Sequence, residues 1–543
     1  MSFDQDRADV VVVGAGSAGG VLAARLSEDP TVRVILLEAG RRDGNPLFQI
    51  PTLVAMTLRY GVGDWGYVTE PEPGFAGRRM AMPRGKVLGG SSSINGMQWV
   101  RGRPSDYDGW AQAGLPGWNW EHALAGFRRL ERFEDGASEM HGGDGPVPIH
   151  SGAEARLWKP LYDAFFEAGV QAGYRRSADL NAPPFEGVGP NHFNIENGRR
   201  WSTARAFLKP ARTRANLRVI TGAQATRVVI EHGRAVGVAA RVGGRDRVFR
   251  GGEVVLSGGA FNSPQLLMLS GLGPAEALRR HDVEPLVDLP GVGANLQEHP
   301  NVRIINACDG ARTVEWLARL HRIAPALVQA LTTGGGPAAV MPFGAGFFLR
   351  SEPGLEEPDL QGTFIAGDTI KTLARPFAAP GEGAICILIN PLRPESRGAI
   401  SLRSADPFAA PVIRPNWYAD PRDRALMRRG VAIARQIMAQ PALERFRGRE
   451  VAPGADILDP AALDAWIAQN SGSTHHPVGT CKMGVEADAT AVVDAQLRVR
   501  GVAGLRVADA SIMPRITSGN TNAPCMMIGQ RCADFILAGQ AAG

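Results

Sequence analysis

The chain has 543 residues, with 59 Lys+Arg against 54 Asp+Glu (formal net charge +5) and 44% hydrophobic residues. That supplies a large core divided over more than one folded part, and the small charge without a basic block excludes a dedicated nucleic-acid protein. Gly (67) and Pro (39) are abundant but aperiodic, which excludes a collagen-like or wholly disordered chain.

The opening Met1–Val10 has no basic region ahead of an apolar stretch, and no run of about 18 apolar residues occurs, so neither a secretory leader nor a transmembrane segment is expected. Five cysteines, odd in number and without C-x-x-C spacing, give neither a disulfide framework nor a metal site. A cytoplasmic location follows as the expectation.

Asp9–Val13 (DVVVV) reads as a strand buried on both faces. It runs into Gly14-Ala15-Gly16-Ser17-Ala18-Gly19 and then a helical pattern, and a second buried-strand pattern, Val32–Leu37, ends at Glu38. G-x-G-x-x-G alone is a weak signal, but this one has the strand, helix and acid that a dinucleotide site requires. Gly14 permits the tight turn, Gly16 lets the backbone approach a pyrophosphate, and Gly19 lets helix and strand pack closely. Ser17 and Ala18 open the helix whose free N–H groups face the phosphates. Glu38 suits a ribose 2′-hydroxyl and disfavours a 2′-phosphate, so NADP is the less suitable ligand; NAD and FAD stay open on these residues.

Pro83–Asn95 (PRGKVLGGSSSIN), followed by Gly96-Met97, is too rich in Gly and Ser for a helix interior and reads as a loop lying against something flat or anionic. Farther on, Glu253–Leu256 and the turn Ser257-Gly258-Gly259 precede a helix whose start is expected at Ser263-Pro264. Near the C-terminus stand Thr474–Gly484 (THHPVGTCKMG) and Leu505–Met527 (LRVADASIMPRITSGNTNAPCMM).

These segments together resemble the glucose–methanol–choline family of FAD-dependent oxidoreductases: Gly85–Asp108 fits its first signature and Gly259–Gly273 its second. The resemblance spans nearly the whole chain. It implies an α/β fold, with a discontinuous Rossmann-like FAD-binding domain (residues 1–155, 200–305 and 470–543). It also implies an α+β substrate domain on an antiparallel sheet (156–199 and 306–469), to which Ile385–Ile389 and Ala399–Leu402 are expected to contribute strands. FAD is the implied cofactor, contacted by Gly14, Gly16, Ser17, Ala18, Gly19, Glu38, Trp65, Arg84, Gly85, Gly90, Ser91, Asn95, Gly96, Met97, Val228, Gly258, Asp509, Ala510, Asn520 and Asn522, with Pro524 beside Asn522. Some members tether FAD through a histidine directly before the Asn of the loop. Ile94 stands there, so non-covalent FAD is expected.

The same register assigns catalysis to His476 and Asn520, with no metal. Chemically, a neutral imidazole is the base best suited to a hydroxyl proton near pH 7, and an Asn amide holds a forming alkoxide without titrating. The flavin would take the hydride at N5. The implied activity is oxidation of a primary alcohol to the aldehyde, in a choline-dehydrogenase-like or alkanol-dehydrogenase-like branch, with O2 or a quinone as electron acceptor. Choline itself demands an aromatic cage or a carboxylate, which the sequence does not place. Competing readings are a hydroxynitrile lyase with structural FAD and a non-catalytic FAD-binding protein. A photodecarboxylase is disfavoured because its cysteine position carries Leu392. His475 is read as structural or pocket-lining, and His299 as part of a structural turn. Glu315–Leu331 carries an amphipathic basic pattern, read first as a helix packed on the substrate domain and alternatively as a peripheral membrane contact. Gly334–Gly346 is expected to form a mobile wall over the site.

Overall fold

The computed structural model describes residues 6–368, Thr372 and 382–541; the polar Met1–Gln5 lies outside them. The first apolar run forms the strand Arg7–Val13, with Val10, Val11 and Val12 fully buried. Burial of each such side chain contributes roughly 1.5–3 kcal/mol. The strand pairs in parallel with Val34–Glu38 on one side and Arg245–Leu256 on the other, Val12 lying opposite both Leu36 and Val255. Leu217–Thr221 extends the sheet beyond Val34–Glu38, while Ala223–Glu231 and Arg234–Val242 form an antiparallel extension at the other edge. The strand Arg245–Leu256 serves two neighbours along one edge. Arg245–Arg250 pairs with Arg234–Val242, and Val254–Leu256 pairs in parallel with Leu505–Val507 from the far end of the chain.

The parallel strands all end at one edge of this sheet, the place where an open α/β sheet offers a binding crevice. The turns there are tight. Gly14 has φ +96°, and a Cβ on it would sit 2.4 Å from the Ser257 carbonyl oxygen in the neighbouring turn. A Cβ at Gly19 would sit 2.0 Å from the Gly14 carbonyl oxygen, so the helix Ser17–Leu26 closes on its strand as the motif demands.

The second glycine turn departs from expectation. Its helix runs Gly259–Leu269, starting four residues earlier than Ser263-Pro264, with Pro264 inside. A proline within a helix leaves the carbonyl four residues back without its N–H partner. Here that carbonyl, of Ala260, accepts a hydrogen bond from the Thr480 hydroxyl at 2.7 Å. Ser263 turns inward instead of capping: its hydroxyl accepts from the Gly258 N–H and donates to Asp509 at 2.6 Å.

The second large sheet is antiparallel, ordered Arg447–Ala452, Pro300–Cys308, Ala384–Pro391, Leu360–Ile365, Ala345–Leu349 and Gly187–Pro190, with Gly472–Ser473 beside Pro300–Asn301. Strand period two separates its faces. Leu360 and Ile389 meet the helix Pro421–Met438 at Gly430, while Gln361, Thr363, Leu388, Asn390 and Arg303 face the cleft. Ile385–Ile389 thus lies in this sheet, as expected. Ala399–Ser401 is a strand but pairs with Val412–Arg414, in a separate two-stranded ribbon. The amphipathic segment becomes two helices, Val314–Leu317 and Leu320–Thr332. The second buries Ile323, Ala326 and Ala330 and exposes Leu320, Val328 and Leu331. Among the described residues no helix is long and apolar enough to cross a membrane. In the Gly-rich segment that follows, Met341, Pro342 and Phe343 do line the cleft.

Candidate active site

A long cleft runs from the first glycine turn to the antiparallel sheet, and sequence-distant stretches meet on it. Gly14, Gly16, Ser17, Ala18 and Glu38 line one end; Trp65, Arg84, Gly85, Gly90, Ser91, Asn95, Gly96 and Met97 line its middle. Gly258, Asp509, Ala510, Asn520, Asn522 and His476 complete the set. Three residues expected at the cofactor lie outside this lining. Gly19 acts in helix–strand packing, and Val228 is buried in its strand with its N–H bonded to the Ser270 hydroxyl; Ala223, Gln224 and Ala225 reach the cleft from that strand instead. Pro524 is also absent from the lining, which continues at Cys525.

The dinucleotide end fits such a ligand by its own chemistry. The N-cap Gly16 supplies no side-chain cap, so the first N–H groups of Ser17–Leu26 point outward without a side-chain partner. The loop Gly85–Met97 comes close enough that a Cβ on Gly90, at φ +54°, would sit 2.6 Å from the Gly16 Cα. Buried Nδ2 of Asn522 and Nδ1 of His475, both on residues lining the cleft, have no partner within the protein, which is the condition of groups that await a ligand. The Glu38 carboxylate accepts from the Ala15 and Gly40 N–H groups at 2.9 and 2.8 Å, and burial pushes its pKa up to about 7. Asp509 accepts from the Gly259 and Ser511 N–H groups at 2.8 Å each, so it also pins the second glycine turn. Ile94 is buried with Phe48 and Val87, and its side chain offers no atom for a covalent tether.

At the other end the hydrogen bonds fix one another. His299, read from sequence as structural, is fully buried with Nδ1 3.0 Å from Nδ1 of His476 and Nε2 2.9 Å from the Leu392 carbonyl oxygen. A carbonyl only accepts, so His299 Nε2 carries the proton. Burial lowers the His299 pKa to about 4, which keeps the ring neutral and leaves Nδ1 as an acceptor. His476 therefore donates from Nδ1, and its Nε2 presents a lone pair. Asn520 Nδ2 stands 3.2 Å from that Nε2, and Asn520 Oδ1 accepts from Gln361 Nε2 at 3.1 Å. One main-chain carbonyl thus sets the tautomer of two histidines and the orientation of an amide.

The His476 pKa is held well below 6.5, first by burial and then by the positive charge that His299, His475 and Arg84 would oppose to it. Its backbone N–H donates to Glu298 Oε1 at 2.7 Å, and Arg84 donates to the His475 carbonyl at 2.6 Å, so the segment is held from both sides. His475 has φ +65° and a pKa lowered to about 3 by burial, Arg84 and Arg303. A neutral imidazole with its lone pair on the cleft is able to take a proton from a hydroxyl, and an amide donor beside it is able to steady the oxygen left behind. Sequence reasoning missed His299 and Glu298 because the pairing of Pro300–Asn301 with Gly472–Ser473, which brings them to His476, is a long-range contact. It also missed buried Arg200, whose Nη1 donates to Asn95 Oδ1 at 2.6 Å and holds the serine loop.

Comparison with known proteins gives a consistent picture. Residues 8–301 and 394–529 match the N- and C-terminal profiles described as GMC oxidoreductase. An oxygen-dependent choline dehydrogenase of Brucella anthropi is 43% identical over 531 residues, covering 98% of this chain and 95% of the relative. Among solved structures, pyridoxine 4-oxidase from Mesorbium loti superposes with a TM-score of 0.86 at 34% identity, covering 97% of this chain and 98% of that one. Formate oxidase superposes at 0.92 with 26% identity and complete coverage of both.

Proposed function

The chain belongs to the GMC oxidoreductases, FAD-dependent enzymes of alcohol oxidation, and within that family we propose that it converts a primary alcohol to its aldehyde with His476 as the base. The observation that carries this reading is the fixed His299–His476–Asn520 chain, which leaves the lone pair of His476 Nε2 on the cleft. The substrate hydroxyl enters between His476 and Asn520, whose 3.2 Å contact is long enough to yield to it. It donates to Nε2 while its oxygen accepts from Asn520 Nδ2. The hydroxyl proton passes to His476; FAD, held by the glycine turn and the Gly85–Met97 loop, would supply the two-electron acceptor for the hydride of the carbinol carbon. Nδ1 of His299 then accepts from the imidazolium that has formed, so the buried cation is not left unpaired.

FAD is held without a covalent bond in this reading, supported by Ile94 at the tethering position. The two sheets form the cores of the cofactor and substrate parts, divided along the chain near residues 155, 200, 305 and 470. O2 is taken as the electron acceptor, following the names of the relatives, with a quinone as the alternative.

The test is anaerobic mixing of the purified holoenzyme with aliphatic, benzylic, furanic, glycol and choline alcohols while the oxidised-flavin band is followed. Bleaching, and its recovery on admitting air, is expected. In His476→Ala, FAD is retained and reduction slows by about 10²–10⁴-fold. Near-normal reduction in that variant removes His476 from the role of base.

A further inference from the structure

We propose that Arg303 receives a carboxylate on the substrate, so that the alcohols this enzyme prefers are hydroxy acids with a spacer between the carbinol carbon and the acid. This rests on the alcohol-oxidation reading above. Arg303 lies mid-strand in Pro300–Cys308 on the face that lines the cleft, with its side chain three-quarters buried at 25% exposure. Among the described residues, the charged partner of its guanidinium is Asp368, at a long 3.7 Å, and Asp368 does not line the cleft. A buried arginine fork with one distant carboxylate beside it retains donors for a second, planar one. Because Asp368 already shares its charge, a singly charged carboxylate suits it better than a doubly charged phosphate.

The rest of the cleft agrees. Its lining carboxylates among the described residues are Glu38 and Asp509, both at the dinucleotide end and both occupied by backbone N–H groups. His475 and His476 are held neutral, so the charge on the lining at the substrate end is that of Arg303, with no lining acid among the described residues beside it. A quaternary ammonium ion is repelled there. The four residues from His299, which touches His476, to Arg303 amount to about 13 Å of strand. A substrate bridges that separation, shortened by the reach of the arginine, with several atoms between its two functional groups.

The experiment compares, on the holoenzyme, flavin reduction by ω-hydroxy acids of about four to eight carbons, by 1-alkanols of equal length, and by choline; Arg303→Gln and Arg303→Lys are tested alongside. A non-oxidisable carboxylate, hexanoate, is titrated separately against the visible flavin band. The expected result is half-saturation at least about tenfold lower for the best hydroxy acid than for its alkanol. In Arg303→Gln that ratio falls to within about twofold of unity, Arg303→Lys keeps part of it, and the hexanoate response seen in the wild type disappears. Equal use of acids and alkanols by the wild type, an advantage that survives in Arg303→Gln, or preference for choline overturns the proposal. If no alcohol of any series bleaches the flavin, the alcohol-oxidation reading fails, and the hexanoate titration still decides whether Arg303 binds a carboxylate. If Arg303→Gln does not fold, the wild-type series and Arg303→Lys decide.

Discussion

Replacing His299 by Phe removes the acceptor 3.0 Å from His476 Nδ1 while nearly filling the same fully buried space. His476 is then left with a buried N–H that has no partner, at a cost of about 1–3 kcal/mol. The ring escapes that cost by moving its proton to Nε2 or by turning over, and in either case the lone pair leaves the cleft. With about 1.36 kcal/mol per factor of ten, the competent tautomer becomes about 5- to 160-fold scarcer, and flavin reduction slows in proportion. The assay is anaerobic stopped-flow reduction by the best alcohol from the substrate panel, run alongside His299→Asn. In that second variant Oδ1 takes the place of the imidazole Nδ1 as acceptor and should restore most of the rate. A merely structural role predicts that both variants lose stability and rate together. Unchanged reduction in His299→Phe refutes the tautomer argument outright.

Three further outcomes are expected. Because His476 stays neutral well below 6.5, flavin reduction should remain level as pH falls from about 8 through 6.5 and decline only as the lowered pKa is approached; a rate that halves near 6.5 would mean an ordinary, solvated imidazole. Gly90→Ala places a Cβ 2.6 Å from the Gly16 Cα at a left-handed backbone position, so FAD content after purification should drop sharply while far-ultraviolet circular dichroism persists; full FAD loading would show that the loop yields without cost. Glu131→Ala strips fully buried Arg101 of the carboxylate 3.0 Å from its Nη1, and urea unfolding should show a loss of about 3–5 kcal/mol.

The two ends of the site were legible to different degrees for a physical reason. The dinucleotide half is written in local backbone requirements. Gly14, Gly16, Gly19 and Glu38 lie within one strand–helix–strand unit, and the steric demands on each are met by neighbours a few residues or one strand away. The Gly85–Met97 loop and the Thr474–Gly484 and Leu505–Met527 segments were likewise recognisable, and they named His476 and Asn520. Val228 does not line the cleft, because which residues of an edge strand reach the crevice depends on how far the strand runs past its neighbour. The helix at Gly259 failed by its start, since a distant hydroxyl, that of Thr480, satisfies the carbonyl that Pro264 leaves open.

Sequence alone therefore determined the glycine-lined crevice, the second sheet's central strand at Ile385–Ile389, and the choice of His476 and Asn520, which the structure brings together on the cleft. Only the tertiary structure decided which nitrogen of His476 faces the cleft, because that depends on the Leu392 carbonyl acting through His299, and on Gln361 for the amide, across strands far apart in the chain. It alone also turned Arg303 toward the cleft and left the lining acids Glu38 and Asp509 at the other end. Strand period is visible in a sequence, but which face of a strand meets the cofactor is set by the sheet as a whole and by the helix Pro421–Met438 that covers the opposite side.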